Sequence, residues 1–225
     1  MNPYTGATDR LLVRMADQTG MKTLHMFTAG DPTRNASFVF FADPNYFITD
    51  FPATTCETCI NPLFAWNHGD IQREIANTWL GFVGPGVRSQ GQDGKTWSDH
   101  TDVRPTILSL VGLQDTYIHD GRVLTETIDD HAVPKRLRDL KHTLPEFAHI
   151  YKQINAPFGR LALASLKIST AALASDTADD SAYTALENKI ATFTAQRDAI
   201  AAEMRTMLDG AAFKHEALTR LRRDS

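Results

Sequence analysis

The sequence has no apolar run long enough to cross a bilayer and no excess of basic residues. A membrane-spanning helix needs about 20 consecutive, mostly apolar residues, and no stretch of this chain meets that requirement. The formal net charge of the 225 residues is -4, which argues against a nucleic-acid-binding or polybasic membrane surface. The first residues also lack the basic segment and apolar core of a signal peptide. We therefore expect no membrane span and no nucleic-acid partner.

Cysteine is almost absent, and the two cysteines, Cys56 and Cys59, stand together with C-x-x-C spacing. A structural zinc site of this type needs a second pair or nearby histidines, and a redox pair usually opens a helix after a strand. This pair lies between two prolines and among threonines. We therefore predict a loop that holds either a small disulfide or two free thiols, and a disulfide would imply an oxidising compartment.

The first part of the chain, residues 1–126, has the pattern of a mixed α/β region. Apolar spacing predicts a short helix over residues 8–19. Runs rich in β-branched, aromatic or apolar residues between turn-forming residues predict strands over 22–29, 37–42 and 78–84.

A further helix is predicted after residue 102, from signals at both of its ends. Asp102 is a suitable N-cap because its carboxylate can accept from free amides of the first turn. Pro105 stands where a missing N–H costs nothing, and Gly112 is a typical C-terminal stop. We expect this helix to be largely buried through its apolar side chains, which are Ile107, Leu108, Leu110 and Val111.

The second part, residues 127–225, has fewer glycines and more alanine and charge, which predicts a helical extension. Helical patterns cover residues 133–153, 158–175 and 182–221, and we expect the last two helices to form an antiparallel hairpin.

The last helical pattern contains a heptad seam with steps of three and four residues. This seam predicts either a core face or a surface for self-association or a partner helix. Its members are Leu186, Ile190, Phe193, Arg197, Ile200, Met204, Met207 and Ala211.

Four ordered segments, WNHGD, TWLGFVGPGV, SDHTDVRPTILSLVGL and HDGRVL, resemble the C-terminal part of the alkaline phosphatase superfamily. The likeness is greatest to its phosphodiesterase, nucleotide-pyrophosphatase and sulfatase-like branches, and it covers roughly residues 22–126. It implies a partial alkaline-phosphatase-like sheet region followed by a helical extension of a kind found in some bacterial members.

The resemblance also implies metal-dependent hydrolysis of phosphoric esters. In that superfamily two metal ions, often zinc, bind the phosphate and activate a Ser or Thr nucleophile. His68 resembles the late metal-ligand histidine of the family. In a second alignment, Asn67-His68-Gly69 matches an earlier Asp-His-Gly motif. His100 and Asp102 are possible further ligands, although the family role at the Asp102 position is mostly structural.

No segment of the sequence resembles the family's nucleophile motif or its other metal-ligand motifs. We therefore expect the C-terminal portion of a larger hydrolase, inactive as an isolated chain, whose parent is exported to the periplasm or the extracellular space. Arg88 and Lys95 are candidates for contact with an anionic substrate. One alternative is a non-catalytic interaction module that uses the C-terminal heptad helix. Another is a metal-binding protein that uses Cys56, Cys59 and His68.

Overall fold

The structure is a computed structural model that describes residue 2 and residues 5–47, 70–133, 135–175 and 178–210. Within these residues the protein is mixed α/β, with mostly helices and one small antiparallel sheet of two strands. The predicted α/β class is confirmed at this level. None of the helices among these residues combines the length and the apolar character that crossing a membrane requires.

The elements have the following bounds in chain order. The strands are β1 (Leu12–Asp17) and β2 (Phe38–Ala42). The helices are α1 (Gln18–Thr23), α2 (Arg73–Ala76), α3 (Val103–Leu110), α4 (Lys135–Arg138), α5 (Thr143–Asn155), α6 (Arg160–Leu173) and α7 (Ser181–Gly210). Short 3-10 turns lie at Pro32–Arg34, His100–Asp102 and Thr125–Thr127.

The start of the chain folds differently from the predicted helix over 8–19 and strand over 22–29, so both predictions were wrong. Half of the first segment is β1, which pairs antiparallel with β2 and places Met15 opposite Phe40. The Asp17 carboxylate then accepts from two amides in the first turn of α1, each at 3.0 Å, and this N-cap starts the helix. Pairing with a strand later in the chain overrides the local apolar spacing.

The predicted strand over residues 78–84 was also wrong. These residues form no strand, and the Trp79 side chain is 88% exposed while Val83 is fully exposed. A strand needs a neighbour to accept and donate its backbone hydrogen bonds. The described part of the chain supplies no strand beside this segment.

The Gly-Pro-Gly sequence after this segment forms a tight turn. The Val87 amide donates to the Gly84 carbonyl at 3.2 Å, Pro85 stands at the second position, and Gly86 has a φ of +79°. These are the features of a type II turn, whose third residue requires a positive φ and therefore favours glycine. The turn leads into an antiparallel bridge between Val87 and Ile128.

Two other predictions were confirmed. The strand predicted over 37–42 is β2, and the helix predicted after Asp102 is α3. Gly112 has a φ of +68° just after α3 ends, as expected for a glycine stop. The expected burial of α3 was wrong, because Ile107 and Val111 are exposed.

Of the helices after residue 127, α6 packs directly on the small sheet. One buried cluster joins β1, α1 and β2 to α6 and consists of Ala16, Met21, Leu24, Phe41, Ala162 and Leu166. A second cluster joins α5 to α7 and consists of Phe147, Tyr151, Ala201, Met204 and Met207. The end of α6 and the beginning of α7 both contact β1, since Thr170 bonds to the Met15 carbonyl and Tyr183 bonds to Asp17. The two helices therefore run antiparallel.

The seam of α7 is a core face within residues 181–210. Four residues of the predicted seam are buried, namely Ile190, Arg197, Met204 and Met207, but Phe193 is exposed. At three other positions the buried residue is the one that follows the predicted residue in sequence, so the buried face includes polar side chains. Its buried members are Glu187, Ile190, Thr194, Arg197, Ala201, Met204 and Met207. Ala211 lies outside the described residues.

Arg197 is the most connected polar residue of this face. It is buried, and its guanidinium donates to the carbonyls of Thr23 at 3.1 Å, Lys22 at 3.4 Å and Ile154 at 3.5 Å. These carbonyls lie at the C-terminal ends of α1 and α5. A cation there satisfies acceptors that no helical amide can reach and interacts favourably with both helix dipoles. Arg197 thus connects α7 to two other helices.

Replacement of Arg197 by methionine is expected to destabilise the fold by about 2–4 kcal/mol, because it removes the side-chain donor of the Thr23 and Ile154 carbonyls. Chemical denaturation of the purified chain measures this difference. Gln196→Ala, at an exposed position on the same helix, is the control and should change stability by less than about 0.5 kcal/mol. Equal unfolding free energies for the two variants would contradict the role given to Arg197.

Candidate functional site

The loop SDHTD that precedes α3 is closed by a reciprocal pair of aspartates. The Asp99 carboxylate accepts from the Thr101 amide at 2.8 Å, and the Asp102 carboxylate accepts from the Asp99 amide at 3.0 Å. This capping box encloses the 3-10 turn His100–Asp102. Asp102 makes no side-chain cap to α3 itself, so the predicted N-cap role is corrected. Its carboxylate points back to the turn before the helix.

Asp102 is completely buried, and both of its carboxylate oxygens have donors. One oxygen accepts from the Arg122 amide at 2.8 Å and pairs with the Lys152 ammonium at 2.9 Å. The other oxygen is the one that accepts from Asp99. Buried carboxylates require such donors. Asp102 therefore has a structural role in this chain.

Lys152, on α5, supplies the cation for this loop. Its side chain is buried, and its ammonium contacts Asp99 Oδ2 at 2.8 Å and Thr101 Oγ1 at 2.9 Å as well as Asp102. Burial raises and Lys152 lowers the pKa of Asp99, and the attraction of Lys152 together with hydrogen bonds from Thr101 leaves that pKa below its ordinary value. Sequence reasoning missed Lys152. The signal was its helical spacing from Ala148, a buried residue four positions earlier.

The HDGRVL turn packs on the SDHTD loop at very short range. A Cβ added to Gly121 would lie 2.0 Å from the Thr101 carbonyl oxygen, so only glycine allows this approach. The next residue, Arg122, makes a bidentate ion pair with Glu126, at 2.7 and 2.9 Å. It also donates to the Trp97 carbonyl at 3.1 Å. Two of the four segments that carry the family resemblance therefore form one packed unit.

The residues predicted to bind a metal are not brought together within the described structure. His68, Cys56 and Cys59 lie outside the described residues. His100 is exposed, whereas Asp102 is buried among its donors. No group of three or more His, Cys, Asp or Glu side chains among the described residues is arranged to hold a metal ion. The ligand roles of His68 and His100 stay predictions.

A cleft of about 440 Å³ lies beside this network. Its lining includes the two residues that the sequence suggested for anion contact, Arg88 and Lys95, and also Arg138, Lys141 and His142. Arg88 is placed by the chain after the Gly-Pro-Gly turn, because its amide donates to the Thr127 carbonyl at 2.8 Å. The structure therefore brings together basic residues from the loop after that turn and from α4 and the segment that follows it.

An acidic cluster lies where α7 meets the beginning of α1. Tyr183 donates to the Asp17 carboxylate, and this bond is the main cause that raises the pKa of Tyr183 to about 12. Glu187 is only 8% exposed, and neither of its carboxylate oxygens has a well-aligned donor among the described residues. Burial, with the Asp17 carboxylate nearby, raises the pKa of Glu187 to about 7. The protonation state of this carboxyl therefore changes near neutral pH.

Comparisons with protein-family models, with curated proteins and with solved structures gave no significant match.

Gly121→Ala is expected to destabilise the protein by about 3 kcal/mol or more, because the new methyl group meets backbone atoms that cannot rotate away. Thermal or chemical unfolding measures the loss. Gly94→Ala is the matched control, since no atom lies within 4 Å of the position its Cβ would take. Similar midpoints for the two variants would mean that the HDGRVL turn does not pack on the SDHTD loop as described.

Glu187→Gln is expected to make stability less dependent on pH. The folded-state pKa of about 7 lies above the ordinary value of 4.5, so the folded protein keeps a proton that the unfolded chain releases. The unfolding free energy of the unmutated chain therefore falls as pH rises from about 4.5 to 7. The unfolding free energy of Glu187→Gln should equal that of the unmutated chain near pH 4 and exceed it by about 1 kcal/mol near pH 8, after allowance for solvent screening.

The control for this experiment is Gln196→Ala, an uncharged change at an exposed position of the same helix. It leaves every carboxylate in place, so its unfolding free energy should follow the pH profile of the unmutated chain. If the unfolding free energy of Glu187→Gln also follows that of the unmutated chain from pH 4 to pH 8, the buried carboxyl does not hold its proton in the folded state.

Proposed function

We propose that this chain is the C-terminal portion of a metal-dependent phosphoric-ester hydrolase of the phosphodiesterase or nucleotide-pyrophosphatase type. The observation that carries the proposal is the packing of Gly121 against Thr101. It joins SDHTD and HDGRVL, two segments whose order and content resemble that superfamily, into one unit. Each segment alone is a short resemblance. Their packing depends on the glycine of one segment and the loop of the other, which supports a common origin of this region and the superfamily.

The exposed apolar side chains support an alkaline-phosphatase-like sheet as the finer fold. Trp79 and Val83 belong to a segment that resembles a family strand, and Phe38 and Phe40 on β2 are also exposed. Large apolar side chains grouped on a surface mark a place that another element covers. In the parent hydrolase, neighbouring strands would cover these residues, and the segment over 78–84 would gain the backbone partners that a strand requires.

Zinc is the metal that the resemblance implies, and His68 is the ligand that this chain would contribute. The described residues by themselves do not fit a metal, because the Asp102 oxygens already have donors and no other cluster of ligands is present among them. No catalytic step is therefore assigned to a metal held by these residues. In the proposal, the nucleophile and the remaining ligands belong to the rest of the parent enzyme.

The isolated chain is expected to be inactive. Purified protein with zinc chloride should hydrolyse bis(4-nitrophenyl) phosphate no faster than zinc chloride alone, because one ligand histidine cannot hold the metal pair that the chemistry needs. His68→Ala should leave this background unchanged. Zinc-dependent turnover that His68→Ala abolishes and His131→Ala retains would contradict the expectation, since His131 is an exposed histidine in another part of the chain.

The parent enzyme itself is tested by the mass of the native protein. An antibody against residues 182–221 should detect, in source cells, a protein much larger than the 25.0 kDa of this chain. In that larger protein His68→Ala should lower zinc content and hydrolysis, whereas His131→Ala should not. A single band near 25.0 kDa would overturn the proposal.

A further inference from the structure

The cleft beside the SDHTD loop has an excess of available positive charge at its surface. Its basic lining comes from three places in the chain: Arg88 and Lys95 from the loop after the Gly-Pro-Gly turn, Arg138 at the end of α4, and Lys141 and His142 before α5. The chain as a whole has a net charge of -4. This concentration of cations is therefore a local feature, not a result of a basic composition.

The acidic residues of the cleft already have partners. Asp130 pairs with Arg88 at 2.9 Å, and Glu126 is held by the bidentate contact of Arg122. Asp93 accepts from the Lys95 amide at 2.8 Å and the Thr96 amide at 3.1 Å. Hydrogen bonds from Thr96 and Lys95 lower the pKa of Asp93. Arginines thus neutralise Asp130 and Glu126, whereas Asp93 has neutral donors and keeps a negative charge near Lys95. One acidic charge therefore remains against the three cations that follow.

The cations that remain are Lys95, Arg138 and Lys141. None of them forms an ion pair within the described part of the chain, and all three are exposed. Three side-chain cations around one concavity repel one another, and an anion between them removes that repulsion. The arrangement is therefore suited to a ligand that carries more than one negative charge.

The other lining residues indicate the shape of the ligand. Val133, Leu137, Leu144 and Pro145 give the cleft an apolar part, and its volume of about 440 Å³ lies within the range of small-molecule sites. An inorganic ion would contact the cations but leave the apolar part in water. A molecule with an anionic group and a compact apolar body would contact both.

We propose that this cleft binds a small phosphorylated organic molecule, with its phosphate oxygens on Lys95, Arg138 and Lys141 and its body against the apolar side chains. Phosphate fits because it offers several acceptor oxygens and close to two negative charges, and arginine and lysine are its usual donors. The inference does not depend on the hydrolase proposal, because it assigns binding and no reaction.

The test uses phenylphosphonate, whose carbon–phosphorus bond resists hydrolysis, as a probe for the full chain. Isothermal titration at constant ionic strength should detect binding of phenylphosphonate, at least tenfold weaker binding of methylphosphonate, and no binding of benzyl alcohol. The difference between phenylphosphonate and methylphosphonate measures the contribution of the apolar contact to affinity. The difference between phenylphosphonate and benzyl alcohol measures the contribution of the negative charge. Failure of phenylphosphonate to bind at millimolar concentration would overturn the proposal.

Variants then locate the site. Arg138→Ala combined with Lys141→Ala should weaken phenylphosphonate binding at least tenfold, and unchanged thermal unfolding should show that the fold is intact. The matched control is Arg73→Ala combined with Lys167→Ala, which removes the same charge from exposed positions elsewhere. An equal loss in both double variants would mean that only net charge matters and would overturn the proposal.

A third variant should strengthen binding. Asp130→Asn removes the carboxylate that pairs with Arg88, so Arg88 becomes available to the ligand and affinity should rise severalfold. A misfolded protein does not bind more tightly, so this gain cannot result from damage to the fold. Unchanged or weaker binding would overturn the proposal, because removal of a carboxylate that lines the cleft should favour any anion bound there.

Discussion

The burial of the Lys152 ammonium between Asp99 and Asp102 is the interaction on which the rest of the structure depends. A lysine that is 1% exposed is tolerated only where carboxylates compensate the lost hydration of its charge. Those carboxylates in turn hold the 3-10 turn before α3 and the Arg122 amide of the HDGRVL turn. One cation from α5 therefore fixes the relative positions of the loop, the turn and α3. It also attaches them to the helices that follow.

Two other charged side chains, Arg197 and Glu187, are buried in the described helical part, and their surroundings differ in charge. Arg197 donates to carbonyls at the ends of two helices, and these hydrogen bonds compensate the burial of its charge. Glu187 and Asp17 lie close together with no cation paired to either among the described residues, so their combined charge is unfavourable. The contacts of Arg197 stabilise the docking of α7 at any ordinary pH. The contact between Glu187 and Asp17 is compatible with docking only while one of the two carboxyls keeps a proton.

Sequence reasoning located elements whose signals are local. The strand β2, the helix α3 with its Gly112 stop, the break after α5 and the helices α6 and α7 follow from β-propensity, caps and apolar spacing. It failed at β1 and α1, because β1 forms by pairing with a distant strand, and at residues 78–84, because a strand-like composition needs a partner strand. Of the network around the SDHTD loop it found the aspartates but not Lys152. Helical spacing can mark the buried face of α5, but it does not show that the partner of Lys152 is Asp102, which lies 50 positions earlier in the chain.

The position of Arg197 also has a consequence for the order in which the chain folds. Its acceptors belong to the ends of α1 and α5, which are far apart in sequence. Removing the guanidinium from water before both helix ends are in place would cost several kcal/mol. The long helix α7 therefore gains stability from this contact only after α1 and α5 have met. We therefore expect α7 to dock late in folding, onto an interior already assembled from both halves of the chain.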